Sequence, residues 1–255
     1  MDNDSLNYLA GGEMKKMFWV FAYLVVFVFI AGCGSSTNSD SSSTSTAQPA
    51  SGSASVVTQE LPKALKLMES GYAIDQSSYG GPYVHYAFIL QNPNASIGAE
   101  FPTVRITMRD ASGQVIGTSE QTMMRIFPNE TIAWGGQADA NGKQPATVEF
   151  APYVSDRNWQ NANAANFKAF QIAGLIVSDS GYITKWTGEL VNPNSQSFEQ
   201  VAVSVLLRDA NGKLVVGYSG FASHVPSNGS VPFEVSALGE VPQYSKFEAY
   251  ATPWV

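Results

Sequence analysis

The feature that most limits how this chain can fold is an internal repeat. The segment V-A-V-S-V-L-L-R-D-A-N-G at residues 201–212 has an earlier counterpart, T-V-R-I-T-M-R-D-A-S-G, at residues 103–113. In both segments apolar residues alternate with smaller or polar ones, and a D-A-x-G turn follows at once. Alternation with a period of two that ends at a glycine-containing turn is typical of a β-strand entering a hairpin. The repeat therefore predicts two copies of one β-rich domain.

Other elements recur in the same order around these two strands. The tripeptide N-P-N ends a predicted strand at residues 92–94 and again at residues 192–194. The segments F-K-A-F at residues 167–170 and F-E-A-Y at residues 247–250 are expected to close the two copies. About seven short strands per copy, without a convincing helical period, predict an all-β chain with two tandem immunoglobulin-like sandwiches. The predicted boundaries are 56–169 and 170–255. Inward positions are assigned to Tyr86, Phe88 and Leu90 in the first copy and to Trp186, Gly188 and Leu190 in the second.

The composition suits an exported β protein and argues against a nucleic-acid partner. Charged residues make up 14% of the 255 residues, well below the roughly 25% of an average soluble protein. The formal net charge is −7, and the basic residues are scattered along the chain. Phosphate recognition needs a basic stripe, so we expect no nucleic acid to bind. Anionic headgroups would repel an acidic surface, so any membrane attachment has to be hydrophobic or covalent.

Residues 1–32 are predicted to be an export signal whose true start is Met14. The sequence M-K-K at residues 14–16 provides a positive region, and fourteen mostly apolar residues follow at 17–30. That stretch is too short to span about 30 Å of hydrocarbon comfortably. A cleavage site is then expected just before Cys33, the only cysteine of the chain. The alternative interpretation is a short uncleaved membrane helix with an incidental cysteine.

The segment Ile30-Ala31-Gly32-Cys33 resembles the lipobox of bacterial lipoproteins, with isoleucine where leucine is usual. The resemblance implies a diacylglycerol on Cys33 and no other cofactor. It also implies an extracytoplasmic protein whose lipid anchors it in the cell membrane or the outer membrane. Two or more acyl chains, at about 0.8 kcal/mol per buried methylene, give durable anchoring. Residues 33–55, which follow the cleavage site and are rich in Ser and Thr, are predicted to be a disordered tether.

The two repeats resemble the FxLYD family of bacterial envelope domains. The matching segments are Q-N at residues 91–92 and I-T-M-R-D at 106–110, and V-N at 191–192 and V-L-L-R-D at 205–209. This chain has Ile106 or Val205 where the family motif has Phe, and an arginine where the motif has Tyr. The resemblance covers roughly residues 70–252. It implies an immunoglobulin-like fold without catalytic residues.

Few side chains offer catalytic or metal-binding chemistry. The two histidines, His85 and His224, have no activating motif such as G-x-S-x-G beside them, and we expect both at surface or edge-strand positions. A zinc site needs four nitrogen or sulfur ligands, which this chain lacks once Cys33 is acylated. The D-A-x-G segments at Asp110, Asp139 and Asp209 offer oxygen ligands for calcium. None continues as a twelve-residue EF-hand loop, so we interpret all three as turns and expect no bound metal.

Aromatic side chains provide the remaining candidates for binding. Tyr79, Tyr83 and Trp159 lie in predicted loops, where exposed rings can stack on sugars or anchor a protein interface. We therefore predict a non-catalytic binding, interaction or spacer module of the cell envelope, with an envelope protein or a glycan as its partner. A dedicated glycan-binding module is one alternative, which exposure of these three rings would favour. A hydrolase is the other, and it would need a histidine, a carboxylate and a hydroxyl in one pocket.

Overall fold

The structure, a computed structural model, describes residues 61–76, 81–161 and 167–254. The predicted lipobox, the tether and Tyr79 lie outside these ranges. The strands of the first copy are β1 (Lys66–Asp75), β2 (Tyr83–Gln91), β3 (Ile97–Glu100), β4 (Thr103–Arg109), β5 (Val115–Thr122), β6 (Arg125–Ile126), β7 (Thr131–Asp139), β8 (Thr147–Tyr153) and β9 (Trp159–Asn161). The strands of the second copy are β10 (Gln171–Asp179), β11 (Ile183–Val191), β12 (Phe198–Arg208), β13 (Leu214–Val225), β14 (Ser230–Leu238) and β15 (Lys246–Pro253).

Each copy is a sandwich of antiparallel three-stranded sheets. In the first sandwich, sheet β1-β2-β7 packs against sheet β5-β4-β8, and β6-β3-β9 form a further small sheet. In the second sandwich, sheet β10-β11-β14 packs against sheet β13-β12-β15. The predicted all-β fold with two tandem sandwiches is confirmed, although the described part of the second sandwich has six strands where about seven were predicted. No helix in the three described ranges is long and apolar enough to cross a lipid bilayer.

The predicted alternation places the expected side chains in the two cores. Tyr86, Phe88 and Leu90 on β2 are buried with Ile106 and Met108 on β4. In the second sandwich, Trp186 and Leu190 on β11 pack against the apolar face of β12. Side chains alternate between the two faces of a strand, so each sheet contributes one apolar face to its own core.

The first asparagine of each N-P-N motif holds two loops together inside the sandwich. Asn192 is fully buried, and its Nδ2 donates hydrogen bonds to the carbonyls of Gln196 (2.8 Å) and Pro226 (2.9 Å). Asn92, also fully buried, does the same in the first sandwich, with Ile97 and Phe127 as acceptors at 2.8 and 2.9 Å. The motif thus has a larger structural role than the predicted one of ending a strand, because each buried amide supplies a donor to backbone carbonyls of two loops.

The second asparagine ties down the segment that enters each sandwich. Asn94 exchanges two hydrogen bonds with the backbone of Lys63, and Asn194 exchanges two with the backbone of Lys168, each 2.8–2.9 Å long. Residues 167–170 therefore lead into the second sandwich. The prediction that they close the first copy was wrong. The last strand of the second sandwich, β15, pairs with β12, and its equivalent in the first sandwich is β8, which pairs with β4.

The D-A-x-G segments are turns, as predicted. The Oδ1 atom of Asp209 accepts hydrogen bonds from the backbone N–H groups of Asn211 (2.8 Å) and Lys213 (2.9 Å). Asp110 caps its own turn in the same way, and Asp139 accepts one such bond, from Asn141 (2.7 Å). An aspartate that bonds to the backbone a few residues on stabilises the turn without a metal ion.

Candidate functional site: the seam between the two sandwiches

The two sandwiches meet face to face through one sheet from each. Ala87, Ile89 and Ala133, on the face of sheet β1-β2-β7 that points away from its own core, form a buried cluster with Leu206 and Leu214 on sheet β13-β12-β15. We call this contact the seam. Strand β12 is consequently buried on both faces, one in its own core and one in the seam.

Glycines let the two backbones approach closely at the seam. A Cβ atom on Gly71 would overlap the backbone of Leu214, and one on Gly135 would overlap the backbone of Gly217. Ser219 Oγ also donates to the carbonyl of Gly135 (2.8 Å) and accepts from its N–H (3.1 Å). Glycine within a strand often marks a place where another backbone comes near, and here it does so on both sides of the contact.

An arginine closes one end of the seam. Within the second sandwich, Arg208 donates from Nε to Glu248 Oε1 (2.7 Å) and from Nη1 to the carbonyl of Gly212 (2.9 Å). Across the seam, Nη1 and Nη2 donate to the two carboxylate oxygens of Glu69 on β1 (2.6 and 3.2 Å). The bond from Arg208 holds the pKa of Glu69 below its usual range. A bidentate pair of this kind fixes direction as well as distance, so it sets how the sandwiches are oriented.

Aromatic rings join the end of the chain to the first sandwich. Trp254 follows β15 and stacks on Trp134 of β7, with ring centroids 5.1 Å apart. Phe221 lies edge-on to Trp254 at 5.3 Å. Near the entry to the second sandwich, Phe127 stacks on Phe167 at 4.5 Å. These contacts add to the seam a set of ring pairs, each worth about 0.5–1.5 kcal/mol beyond its buried area.

The two sheet faces outside the seam carry charges where the seam has small residues. In strand register, Arg105 and Glu120 of the first sandwich match Ser204 and Ser219 of the second. Arg105 and Glu120 form an exposed ion pair at 3.0 Å. On the far face of the second sandwich, Glu234 takes the position of Gly135 and pairs with Lys185 at 2.9 Å. Of these four sheet faces, only the two that form the seam therefore permit close packing of sheets. This is expected where terminal repeats keep a polar outer face.

The structure corrects the expected surface position of His85. Its side chain faces the seam and is only 12% exposed, with Nε2 3.7 Å from Asp75 Oδ2 and the ring 5.7 Å from that of Tyr218. Burial lowers the pKa of His85, while Asp75 acts in the opposite direction. The error arose because an outward position on one sandwich is covered by the other. The side chain of His224 is exposed, as predicted, and its Nε2 lies 3.1 Å from Glu199 Oε1. Within the described ranges, neither histidine is hydrogen-bonded to a hydroxyl.

The described aromatic candidates do not form a common binding surface. Tyr83, at the start of β2, is half-buried, and its partners in strand register are Asp75 on β1 and Asp139 on β7. Trp159 is also half-buried, packs against the first core, and pairs with Ala99 beyond the other end of β2. Eight residues of strand separate the two ends of β2, about 26 Å at 3.3 Å per residue. Neither described ring is fully exposed, and the third candidate, Tyr79, lies outside the described residues.

Neither of two surface hollows formed by the described residues contains a histidine that could serve a hydrolase. An open groove of about 620 Å³ runs beside Phe221, Ser223 and Glu234 on the second sandwich. A hollow of about 100 Å³ on the first sandwich is lined by Arg125 and Phe127, among others. Across residues 61–76, 81–161 and 167–254, no three His, Cys, Asp or Glu side chains are grouped so that they could hold a metal ion. Among the described residues, the seam by contrast brings together several kinds of specific contact: buried apolar side chains, close backbones, an ion pair and stacked rings.

One half-buried carboxyl makes stability depend on pH. Burial raises the pKa of Glu130 to about 7, although the N–H of Phe127 (2.6 Å to Oε2) and the charge of Arg125 both lower it. An unfolded glutamate titrates near 4.5. The folded chain therefore binds a proton more tightly, and its stability falls as the pH rises from about 4.5 to about 7.

We expect the free energy of unfolding to fall by up to about 3 kcal/mol across that range and then to level off, at about 1.4 kcal/mol per pKa unit. Glu130→Gln should remove most of this slope, because glutamine does not titrate. Urea unfolding at pH 4.5, 6 and 8 measures the effect. The exposed Glu240→Gln is the matched control, and an equal slope in both variants would show that Glu130 is not the group responsible.

Comparison with known proteins adds little to this description. No protein-family model matches the chain, and no curated protein sequence matches it. Among solved structures, that of red sea bream transglutaminase aligns with 75% of this chain at 9% identity and a TM-score of 0.23. The alignment covers 29% of the transglutaminase chain. We draw no conclusion about fold or function from a likeness of this size.

Proposed function

We propose that this chain is a lipid-anchored, extracytoplasmic protein of the bacterial cell envelope whose two sandwiches act as one non-catalytic interaction or spacer module. The lipid anchor and the location rest on the lipobox resemblance, and the observation that carries the proposal of a single module is the seam. Domain interfaces within a chain are usually loose enough to allow relative motion unless they are large and apolar. Here Gly71 and Gly135 lie against the backbone of the second sandwich, and both carboxylate oxygens of Glu69 accept hydrogen bonds from Arg208. Such a contact suits a module whose two sandwiches must keep a fixed relative orientation.

The proposed parts follow one another along the chain. Cys33 would carry the lipid, and residues 33–55 would form a tether of about 25 Å, at roughly 5–6 Å times the square root of the residue number. The paired sandwiches would then stand clear of the membrane. Their loops and edge strands are the places where sandwiches of this type usually make contact with partners.

The lipid anchor can be tested by Cys33→Ser. Serine has no thiol to receive diacylglycerol, so we expect an uncleaved and unlipidated precursor. Metabolic labelling with a radioactive fatty acid should label the unchanged chain and leave the variant without label. Membrane fractionation should show the same difference in attachment. Continued processing and labelling of the variant would refute the anchor.

Interaction and spacer roles can be separated with the full-length chain. The protein, immobilised in detergent, is exposed to solubilised envelope, and a blank surface serves as the control. A protein or glycan that is retained in a saturable manner supports an interaction module. Retention of nothing above the blank supports a spacer, and the length of the tether would then be the property to vary.

A further inference from the structure

The hairpin that ends the repeated strand is built in the same way in both sandwiches, around an arginine. Arg109 donates from Nε to Glu149 Oε1 (3.0 Å) and from Nη1 to the carbonyl of Gly113 (3.1 Å). Arg208 makes the equivalent bonds to Glu248 and Gly212. Both arginine side chains are therefore held in the same pose, with the remaining edge of the guanidinium turned toward the outer face of the sheet.

The two hairpins differ in what covers them. In the second sandwich, β1 lies across the hairpin, with Glu69 bound to Arg208 and Gly71 against the backbone of Leu214. Leu214 is 2% exposed there. Its counterpart in the first sandwich by strand register is Val115, which is 45% exposed.

The uncovered hairpin keeps an unused guanidinium edge beside that apolar side chain. Arg109 is 33% exposed, whereas Arg208 is 16% exposed. No second carboxylate from the described ranges reaches Arg109. We call Arg109, its turn at residues 110–113 and Val115 the open corner.

We propose that the open corner is a docking site for an extended segment of a partner protein that carries a carboxylate two residues before a glycine. The chain itself supplies the template, since Glu69-Ser70-Gly71 occupies the equivalent corner of the second sandwich. The carboxylate would bind Arg109 through both oxygens, the arrangement for which a guanidinium is best suited. The glycine would let the segment's backbone lie against that of Val115, as Gly71 lies against Leu214. The inference rests on the proposed interaction role and names the partner's chemistry.

A single segment fits this corner, whereas a whole sheet does not. Further along the same face, Arg105 and Glu120 stand where the seam has Ser204 and Ser219, and Thr118 stands where the seam has Gly217. These longer side chains would hold a second sheet away from the backbone. At the corner itself both sandwiches keep an arginine, a D-A-x-G turn and an apolar residue, which is Val115 in the first and Leu214 in the second.

The test uses a fluorescein-labelled peptide with the sequence of residues 66–75, K-L-M-E-S-G-Y-A-I-D, and the full-length chain in detergent micelles. We expect saturable binding by fluorescence anisotropy. Arg109→Gln should weaken it about tenfold or more, the effect of losing charge-assisted hydrogen bonds. A peptide with glutamine in place of its glutamate should lose as much. The matched control is Arg105→Gln on the same strand, which should change affinity by less than about twofold.

Two results would overturn the proposal. One is an absence of saturable binding to the unchanged chain. The other is equal binding by the unchanged chain and Arg109→Gln, including the case where only Arg208→Gln weakens it, which would mean that the peptide displaces β1 at the seam. The wider interaction role is judged separately. An envelope partner retained equally by the unchanged chain and Arg109→Gln would leave that role in place and remove only the open corner.

Discussion

Gly135→Val should push the two sandwiches apart while leaving each core intact. The first added carbon would already overlap the backbone of Gly217, and valine adds two more. Ser219 would also lose its two hydrogen bonds to the backbone of Gly135. Overpacking of this kind costs about 1–3 kcal/mol and occasionally more. At about 2–4 °C per kcal/mol for a chain of this size, we expect the melting temperature to fall by roughly 5–10 °C.

Small-angle scattering and thermal unfolding measure this effect together. The radius of gyration should increase in Gly135→Val, because the tethered sandwiches would move independently. The matched control is Thr118→Val, which introduces the same side chain on the exposed outer face at the position equivalent to Gly217. The control should change neither quantity. A variant with an unchanged radius and an unchanged melting temperature would contradict the close contact, and with it the proposal of a single stiff module.

The second large effect is expected from Asn192→Ala. Alanine would leave the partly buried carbonyls of Gln196 and Pro226 without this donor. The backbone N–H and the Nδ2 of Asn194, which is buried, would both lose their acceptor. Each buried polar group left unsatisfied costs about 1–3 kcal/mol. We therefore expect the free energy of unfolding to fall by about 3–5 kcal/mol, a large part of the typical stability of a domain.

Urea unfolding of Asn192→Ala and Asn92→Ala provides the measurement. The two variants should lose similar stability, because the two sandwiches build the same network. Asn211→Ala is the matched control, since that asparagine is exposed in the turn and contributes its backbone N–H, which alanine retains. A loss below about 1 kcal/mol in Asn192→Ala would show that water or a rearranged loop replaces the amide.

The strands and cores were predictable because their signals are local. Alternation in β2 and β11 places Tyr86 and Trp186 inside without reference to any other part of the chain. The D-A-x-G turns were predictable for the same reason, since an aspartate caps residues next to it in sequence. The asparagine networks were only half recognised. The motif is local, but its acceptors lie up to 35 residues away.

The seam was not predicted because its signal is a contrast between the two copies. In strand β12 the positions between the core valines are Ala202, Ser204 and Leu206, which are all buried. In β4 the corresponding positions are threonine and arginine. A strand that is apolar or small on both faces is covered on both. Comparison of the two copies position by position could have revealed this, whereas comparison of their shared motifs could not. The same oversight left His85 on a surface that is in fact covered.

The charged outer faces also disfavour association of one molecule of this protein with the next. A contact between two different faces of one molecule is heterologous, and when repeated from molecule to molecule it produces a closed ring or an open fibre. The outer faces of the two sandwiches correspond in register to the two faces that meet in the seam. Glu234 would then meet Glu120 where Gly135 meets Ser219 within the chain. Each carboxylate is paired with a basic side chain, Arg105 or Lys185, and these four long side chains would hold the two outer faces apart where a glycine and a serine let the seam close.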